Sequence, residues 1–258
     1  MREIFKLSQF TKLRLLIGIV HVAGIYGLVM LWDVRWLLLT AICHFLFLWV
    51  GQEMYVHRFL SHRSFEMGVA WQRVCAFLSI FNLFGSPIGI AATHVTHHKH
   101  SDAMKDPHPA AHPIQSWLWI YPKFETSSDV TSMKRLMNDE WLRFITKWYL
   151  AIYLSVILAI ALIDVRIVIY GFFLHVIYAF FSNGLINVIC HKYGYRYTDT
   201  NDNSRNNLLV NTLLFGSGIA LHNTHHANPK DYKLSRAWYE FDFVGALIDV
   251  IRTKRKTA

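Results

Sequence analysis

The chain has 258 residues, 53% of them hydrophobic and only 17% charged, with a formal net charge of +9 and a positive mean hydropathy. Its apolar residues gather into long runs, which excludes an ordinary soluble domain. Its basic residues do not gather on a soluble module with interleaved aromatics, which sets nucleic acid aside and leaves membrane lipids as what the charge faces.

In chain order, a short basic head precedes Leu13 to Trp32, a run with no acidic residue and only Arg14 near its start. At about 1.5 Å per residue it spans a hydrocarbon core of roughly 30 Å, so it reads as a transmembrane helix over 13–32 and is too long for the core of a signal peptide. Asp33-Val34-Arg35 makes a tight turn into a second span over 36–50, whose helix continues through Glu53 to His57. Trp71 to Ala92 is apolar but broken by Asn82, Gly85, Ser86, Pro87 and Gly89, which reads as an interfacial or re-entrant segment. Residues 101–132 form a polar loop and 131–147 an interfacial helix. A second hairpin follows, with spans over 148–163 and 167–186 around Asp164-Val165-Arg166, which repeats the first turn. Residues Phe241 to Ile251 suit an amphipathic helix ahead of Arg252, Lys254, Arg255 and Lys256, which would hold anionic headgroups or form a solvated tail. The expectation is one all-α integral membrane domain over 1–258, four transmembrane helices in two hairpins plus interfacial helices. All but two of the 26 basic residues, Arg35 and Arg166, lie away from the hairpin turns. By the positive-inside rule both termini and the histidine-rich side are then cytoplasmic.

Fifteen histidines stand in the chain, and nine are placed by pattern. His94, His97 and His98 share one helical face at i, i+3 and i+4, and His222, His225 and His226 repeat the spacing. Adjacent histidines nevertheless diverge by roughly 100°, so one triplet can serve two neighbouring metals. His57 and His62, and Asn187 with His191, stand where apolar runs give way to polar sequence. On a continuous α-helix His57 and His62 would be roughly 140° apart, so joint ligation requires the helix to end or bend between them. His21, His44 and His175 lie inside apolar runs and read as structural, while His100, His108 and His112 lie in the polar loop. Cys43, Cys75 and Cys190 form no Cys-x-x-Cys pair and read as buried thiols. Imidazole suits iron, zinc or copper, so ligand type leaves the metal open. Nine histidines exceed the four ligands of a closed zinc site, and a dinuclear centre with room for O2 suits oxidation of a lipid chain. His-Glu-x-x-His is absent, which removes metalloprotease chemistry.

The sequence resembles the membrane-bound fatty acyl desaturases, especially the delta-9, stearoyl-CoA desaturase-like type, over nearly its whole length. The likeness rests on His57-Arg58-Phe59-Leu60-Ser61-His62-Arg63, Gly85-Ser86-Pro87 leading to His94-Val95-Thr96-His97-His98-Lys99, and Asp106-Pro107-His108. It extends to Asn187 with His191-Lys192-Tyr193-Gly194-Tyr195-Arg196, and to His222-Asn223-Thr224-His225-His226 with Pro229. The resemblance implies a four-span fold, a cytosolic di-iron site, and a narrow tunnel for a saturated acyl chain that gains a cis double bond from O2 and two electrons. Carried over, one iron takes His57, His62, His94, His98 and His225; the other takes His97, His191, His222 and His226, with Asn187 close by through water. Zinc can take the same ligands in purified protein. Asp102 and Asp106 are candidates to orient ligands from behind. Because the second span leads into His57, its residues Ala41, Phe45 and Leu48 are the expected contacts for the methyl end of the chain, with Phe45 closing the tunnel.

The chain also departs from that pattern. Leu221 stands where relatives often carry an aromatic, Gly216-Ser217-Gly218 replaces Gly-Glu-Gly, and Ala92-Thr93 replaces an Arg-Asp pair of the acyl-CoA enzymes. The acyl carrier, whether an acyl lipid or an acyl thioester, is thereby left open. The ends are too short for a fused cytochrome b5, so electrons are expected from a separate donor such as a ferredoxin or cytochrome b5. Two other readings remain: a related di-iron lipid hydroxylase or monooxygenase, and a metal transporter, which would need ionisable residues in mid-membrane.

Overall fold

The computed structural model describes residues 9–107 and 130–253; His108, His112 and the basic residues 254–256 lie outside them. Among the described residues the chain is helical, with isolated β-bridges and no strands. Four helices are long and apolar enough to cross a membrane. We number the elements α1 (Gln9–Met30), α2 (Val34–Ser61), α3 (Val69–Asn82), α4 (Pro87–His100), α5 (Glu140–Ala161), α6 (Val165–Ile189), α7 (Leu208–Leu213), α8 (His222–Ala227) and α9 (Phe243–Ile251).

The two hairpin turns share one local design. Asp33 accepts a hydrogen bond from Arg35 N–H at 3.0 Å and grips its guanidinium at 2.7 Å; Asp164 does the same with Arg166 at 2.8 and 2.7 Å. Each carboxylate thereby satisfies an N–H at the start of the helix that follows. The turns also touch: the Tyr170 hydroxyl accepts from Asp33 N–H and donates to Leu31 C=O, both at 2.9 Å, and Arg166 lies 5.2 Å from the Trp36 ring centre. Since α2 and α6 both start here and run away together, their far ends meet at the opposite edge of the bundle.

Helix α2 has 28 residues, roughly 40 Å of helix against a hydrocarbon core of roughly 30 Å, so its last turns project beyond the apolar layer. From Phe45 to Ser61 its hydrogen bonds widen to i→i+5, ending with His62 N–H to His57 C=O at 3.3 Å. The wider winding turns less per residue and brings residues five apart toward one face. Helix α2 ends at Ser61, between His57 and His62, as their joint ligation was expected to require, and its widened last turns bring the two rings toward one side. Gly51 is required where α2 meets α3, because a Cβ there would lie 2.7 Å from the Ser79 backbone nitrogen.

The broken segment is two helices, α3 and α4, bent by 77°. Leu83 (φ +56°) and Gly85 (φ +135°) turn the chain in the left-handed region, Ser86 caps α4 by accepting from Gly89 N–H, and Pro87 opens the helix. The third span starts earlier than its apolar run. Asp139 caps it through Leu142 N–H at 2.8 Å, so α5 takes in residues read as part of a separate interfacial helix, and only Val130–Asn138 forms a distinct 3-10 segment before it.

The histidines expected to be structural are hydrogen-bonded within the bundle. His21 Nδ1 lies 2.8 Å from Ile17 C=O. His44 of α2 and His175 of α6 face each other at 3.2 Å, and His175 Nε2 lies 3.1 Å from Asn82 Oδ1. Asn82 is oriented by its NH2 group, which donates to Phe47 C=O and Ser79 C=O at 2.7 and 3.0 Å. Its oxygen must then accept, so His175 donates from Nε2 and accepts at Nδ1 from His44. Three helices are joined by a polar chain whose members face one another. Cys43, Cys75 and Cys190 are buried thiols.

Candidate metal centre

All nine patterned histidines come together at the far end of α2 and α6. The donor atoms of His57, His62, His94, His98 and His225 lie within 4.8 Å of one another, and those of His97, His191, His222 and His226 form a second such set. The split follows from helical geometry: His97 and His98 diverge on α4, His225 and His226 diverge on α8, and each neighbour enters a different set. Helix α2 contributes His57 and, at its end, His62; His191 follows α6.

Carboxylates stand behind four of the rings. Glu53 lies 2.9 Å from His57 Nδ1, Asp106 2.9 Å from His97 Nδ1, Asp102 3.0 Å from His191 Nδ1, and Asp202 2.6 Å from His226 Nδ1. An ionised carboxylate only accepts, so each of these rings donates from Nδ1 and, when neutral, directs the Nε2 lone pair inward. Those inward nitrogens crowd together. His57 Nε2 and His98 Nε2 each lie 2.9 Å from His225 Nε2, His94 Nε2 lies 2.7 Å from His62 Nε2 and 3.0 Å from His98 Nε2, and His191 Nε2 lies 3.0 Å from His222 Nε2. Lone pairs at such distances repel unless a proton or cation lies among them. His226 Nε2 is buried with no hydrogen-bond partner among the described residues, although burying such a nitrogen unpaired is costly. The residues present therefore fit a pair of bound cations.

Electrostatics favours the neutral, ligating form of several rings, while at His97 burial is outweighed by Asp106 and the charge is favoured. Burial, reinforced by neighbouring imidazoles, holds His62, His225 and His226 well below the usual histidine pKa. Burial opposes ionisation of Asp102, yet the hydrogen bonds from His191 and Asn203 N–H hold its carboxyl below its ordinary value. Buried Arg58, between the two histidines of its motif, pairs with Asp242 at 2.9 Å and also donates to Ser217 C=O and Tyr232 C=O, which ties the segments flanking α8 to α2.

A cleft of about 830 Å³, open mouth included, runs from this centre between α2, α4 and α6. Leu48, Trp49, Val56, Phe84, Ile186 and Leu214 give it apolar walls, while His57, His94, His97 and His222 stand along it with Asn187. Asn187 is buried, and its Nδ2 has no hydrogen-bond partner among the described residues. Of the three residues expected to contact the chain end, only Leu48 lines the cleft. Ala41 is exposed, and Phe45 lies off the cleft against Trp49 and Phe243, with ring centres 5.6 and 5.8 Å away. Phe45 and Ala41 continue the four-residue spacing of His57, Glu53 and Trp49, but the cleft stops at Leu48 and Trp49, and the Trp49 ring stands against Phe45. Sequence reasoning also missed two carboxylates. Glu53 sits one turn before His57 and was legible by its i, i+4 spacing, whereas Asp202 lies 24 residues before His226 and carries no local signal.

Comparison with known proteins gives this architecture a family. The chain is 29% identical to the sn-2 palmitoyl-lipid 9-desaturase of Nostoc sp. (strain 36), over 86% of this chain and 81% of that protein. It is 27% identical to the acyl-CoA 5-desaturase AL21 of Anemone leveillei, over 85% of this chain and 69% of the relative. It is 30% identical to the acyl-CoA desaturase 1 of Tachysurus fulvidraco, over 85% and 70%. Residues 31–251 match the family described as fatty acid desaturase, so this four-helix, histidine-rich membrane protein belongs to that family and is a desaturase, an oxidoreductase of lipid metabolism.

Proposed function

We propose that this chain inserts a cis double bond, delta-9 being the position its histidine motifs suggest, into a saturated acyl chain carried by a lipid or a thioester. The observation that carries the reading is the convergence of five and four imidazoles beside an apolar cleft. The balanced reaction joins the saturated –CH2–CH2– unit, O2, two electrons and two protons to give –CH=CH– and two waters, the electrons coming from a separate donor such as a ferredoxin or cytochrome b5. The two sets would hold two iron ions, which supply O2-dependent oxidation of unactivated C–H bonds when bound. Zinc, which accepts the same nitrogens, would fill the site without supplying redox chemistry.

The chain's own residues set the conditions for that chemistry. Glu53, Asp102, Asp106 and Asp202 orient the rings and fix their tautomers. Asn187 stands beside the four-histidine set, where its free amide suits a bridging water. Leu48, Trp49, Phe84 and Ile186 enclose the hydrocarbon and exclude water, so the chain rather than solvent lies against the centre. In orientation, the metal end and both termini face the cytoplasm, supported by the partition of basic residues.

Expression in a host lacking its own desaturase, followed by mass spectrometry of the lipids, tests the reading. A new double bond at a defined carbon, with its carrier class, is the expected result. A hydroxylated product reassigns the chain to the related oxygenases, and unchanged lipids with bound iron and a supplied electron donor reject the proposal. Cysteine labelling at positions 105 and 165 should reach opposite sides of the membrane; labelling from one side alone overturns the orientation.

A further inference from the structure

At the metal end, the segment after α2 lies beside the end of α9: Met67 bridges to Arg252, and Thr253 N–H donates to Glu66 C=O at 3.0 Å. A concavity of about 780 Å³, open mouth included, lies between them, and Arg63, Lys230 and Arg252 line it with Tyr232 and Glu66. Three cations against one carboxylate leave it positive. Among the described residues Arg63 and Lys230 have no carboxylate partner, whereas Arg252 is 3.4 Å from Asp249 and lies 5.0 Å from the Tyr232 ring centre. Arg135 adds to the crowding: burial and the neighbouring Arg63 charge hold its guanidinium below its ordinary pKa. Such a cluster is relieved by an anion.

Its height in the membrane says which anion. Just after Glu66, α3 begins with exposed Val69 and Trp71; α5 begins with exposed Trp141 and Trp148; and on α9, two residues before Arg252, Val250 is 83% exposed. Tryptophans exposed at the ends of apolar helices mark the headgroup level of a bilayer. The cationic concavity thus opens among lipid-facing side chains, where phosphate is the anion at hand and long cationic side chains reach it readily.

We propose that this concavity binds the phosphate of an anionic glycerophospholipid from the leaflet at the metal end. The bound headgroup bridges Arg63, next to His62, and Arg252, at the end of α9. Because α9 is also tied to α2 through Asp242 and Arg58, the lipid closes a second clamp on the segment that carries the metal-site histidines.

The test uses the detergent-purified full chain, with metal content measured on every sample, and native mass spectrometry with phosphatidylglycerol, phosphatidylcholine or inorganic phosphate as probe. One tight phosphatidylglycerol adduct is expected, with phosphatidylcholine at least about tenfold weaker. Arg63→Gln/Lys230→Gln should bind phosphatidylglycerol roughly thirtyfold more weakly, as two interfacial cations predict. Arg143→Gln, an exposed cation on α5, should match wild type. Should the double variant fail to fold, exposed Lys230→Gln alone reads the site through a roughly fivefold loss. Equal phosphatidylglycerol binding by wild type and variants, or phosphatidylcholine binding as tightly, overturns the proposal. Inorganic phosphate displacing the lipid at micromolar concentration also overturns it, because the site would then take a free anion.

Discussion

Buried histidines occupy two regions of this molecule, its metal end and the middle of its bundle, and they behave in opposite ways. In mid-bundle, His175 meets His44 with one nitrogen and Asn82 with the other, so the protein itself satisfies both nitrogens of that ring. At the metal end the carboxylates take Nδ1 and leave Nε2 pointing at other Nε2 atoms. Burial and residue type are the same; what separates a ligand from a structural histidine is whether its second nitrogen is left facing a common centre. The metal end is itself uneven: among the described residues, carboxylates stand behind His97, His191 and His226 in one set and behind His57 in the other.

The largest effect should come from removing a converging ring. His98→Ala, in the five-ring set, and His97→Ala, in the four-ring set, should each lower desaturation more than about a hundredfold, beyond what loss of an outer partner costs. The readouts are bound iron and lipid product, with membrane insertion intact. Near-normal product from both variants would erase the distinction between the two regions.

The unevenness of the metal end sharpens the contrast. Asp202→Asn and Asp102→Asn should each weaken metal held by the four-ring set about 10–100-fold, whereas the five-ring set should respond to Glu53→Gln alone. Chelator titration of the wild type should release the metal of the five-ring set first. Simultaneous release in every variant would show that backing carboxylates do not distinguish the sets.

Acidity acts in the same direction. His62, His225 and His226 are held neutral in the fold, well below the roughly 6.5 of an unfolded chain, so below that pH the unfolded state binds more protons. Stability of metal-stripped protein is then complete above about pH 6.5 and falls as the pH drops, by up to about 1.4 kcal/mol per such imidazole per unit. A melting temperature that stays flat from pH 7.5 to 5.5 would contradict this.

Mid-bundle changes should be milder and leave metal content alone. His175→Ala strands the Asn82 oxygen and should cost about 1–3 kcal/mol of stability with full metal loading. Smallest in its effect on reaction outcome is Phe45→Ala, expected to leave the chain-length profile unchanged because Phe45 lies off the cleft, while Trp49→Ala, on the cleft wall, should shift it. A shift from Phe45→Ala and none from Trp49→Ala would place the methyl end of the chain beyond Trp49, at Phe45.

What the sequence determined by itself was local. Apolar runs placed four spans, because membrane thickness sets helix length. The His-x-x-His-His spacing divided His97 from His98 and His225 from His226, because rotation per residue is built into a helix. Helix breakers around Pro87 announced the bend between α3 and α4. The tertiary structure decided what depends on distant partners. Asp202 reaches His226 only because the loop after His191 folds back, and Asp242 meets Arg58 across 184 residues of chain. Where the cleft ends along α2 was also a tertiary outcome: Phe45 lies one turn before Trp49 yet packs against Trp49 and Phe243 off the cleft, and Gly51 is packed against the Ser79 backbone along the same stretch. Local geometry follows from spacing along the chain, whereas a carboxylate's partner and the end of a cleft depend on what packs against them, which spacing alone does not encode.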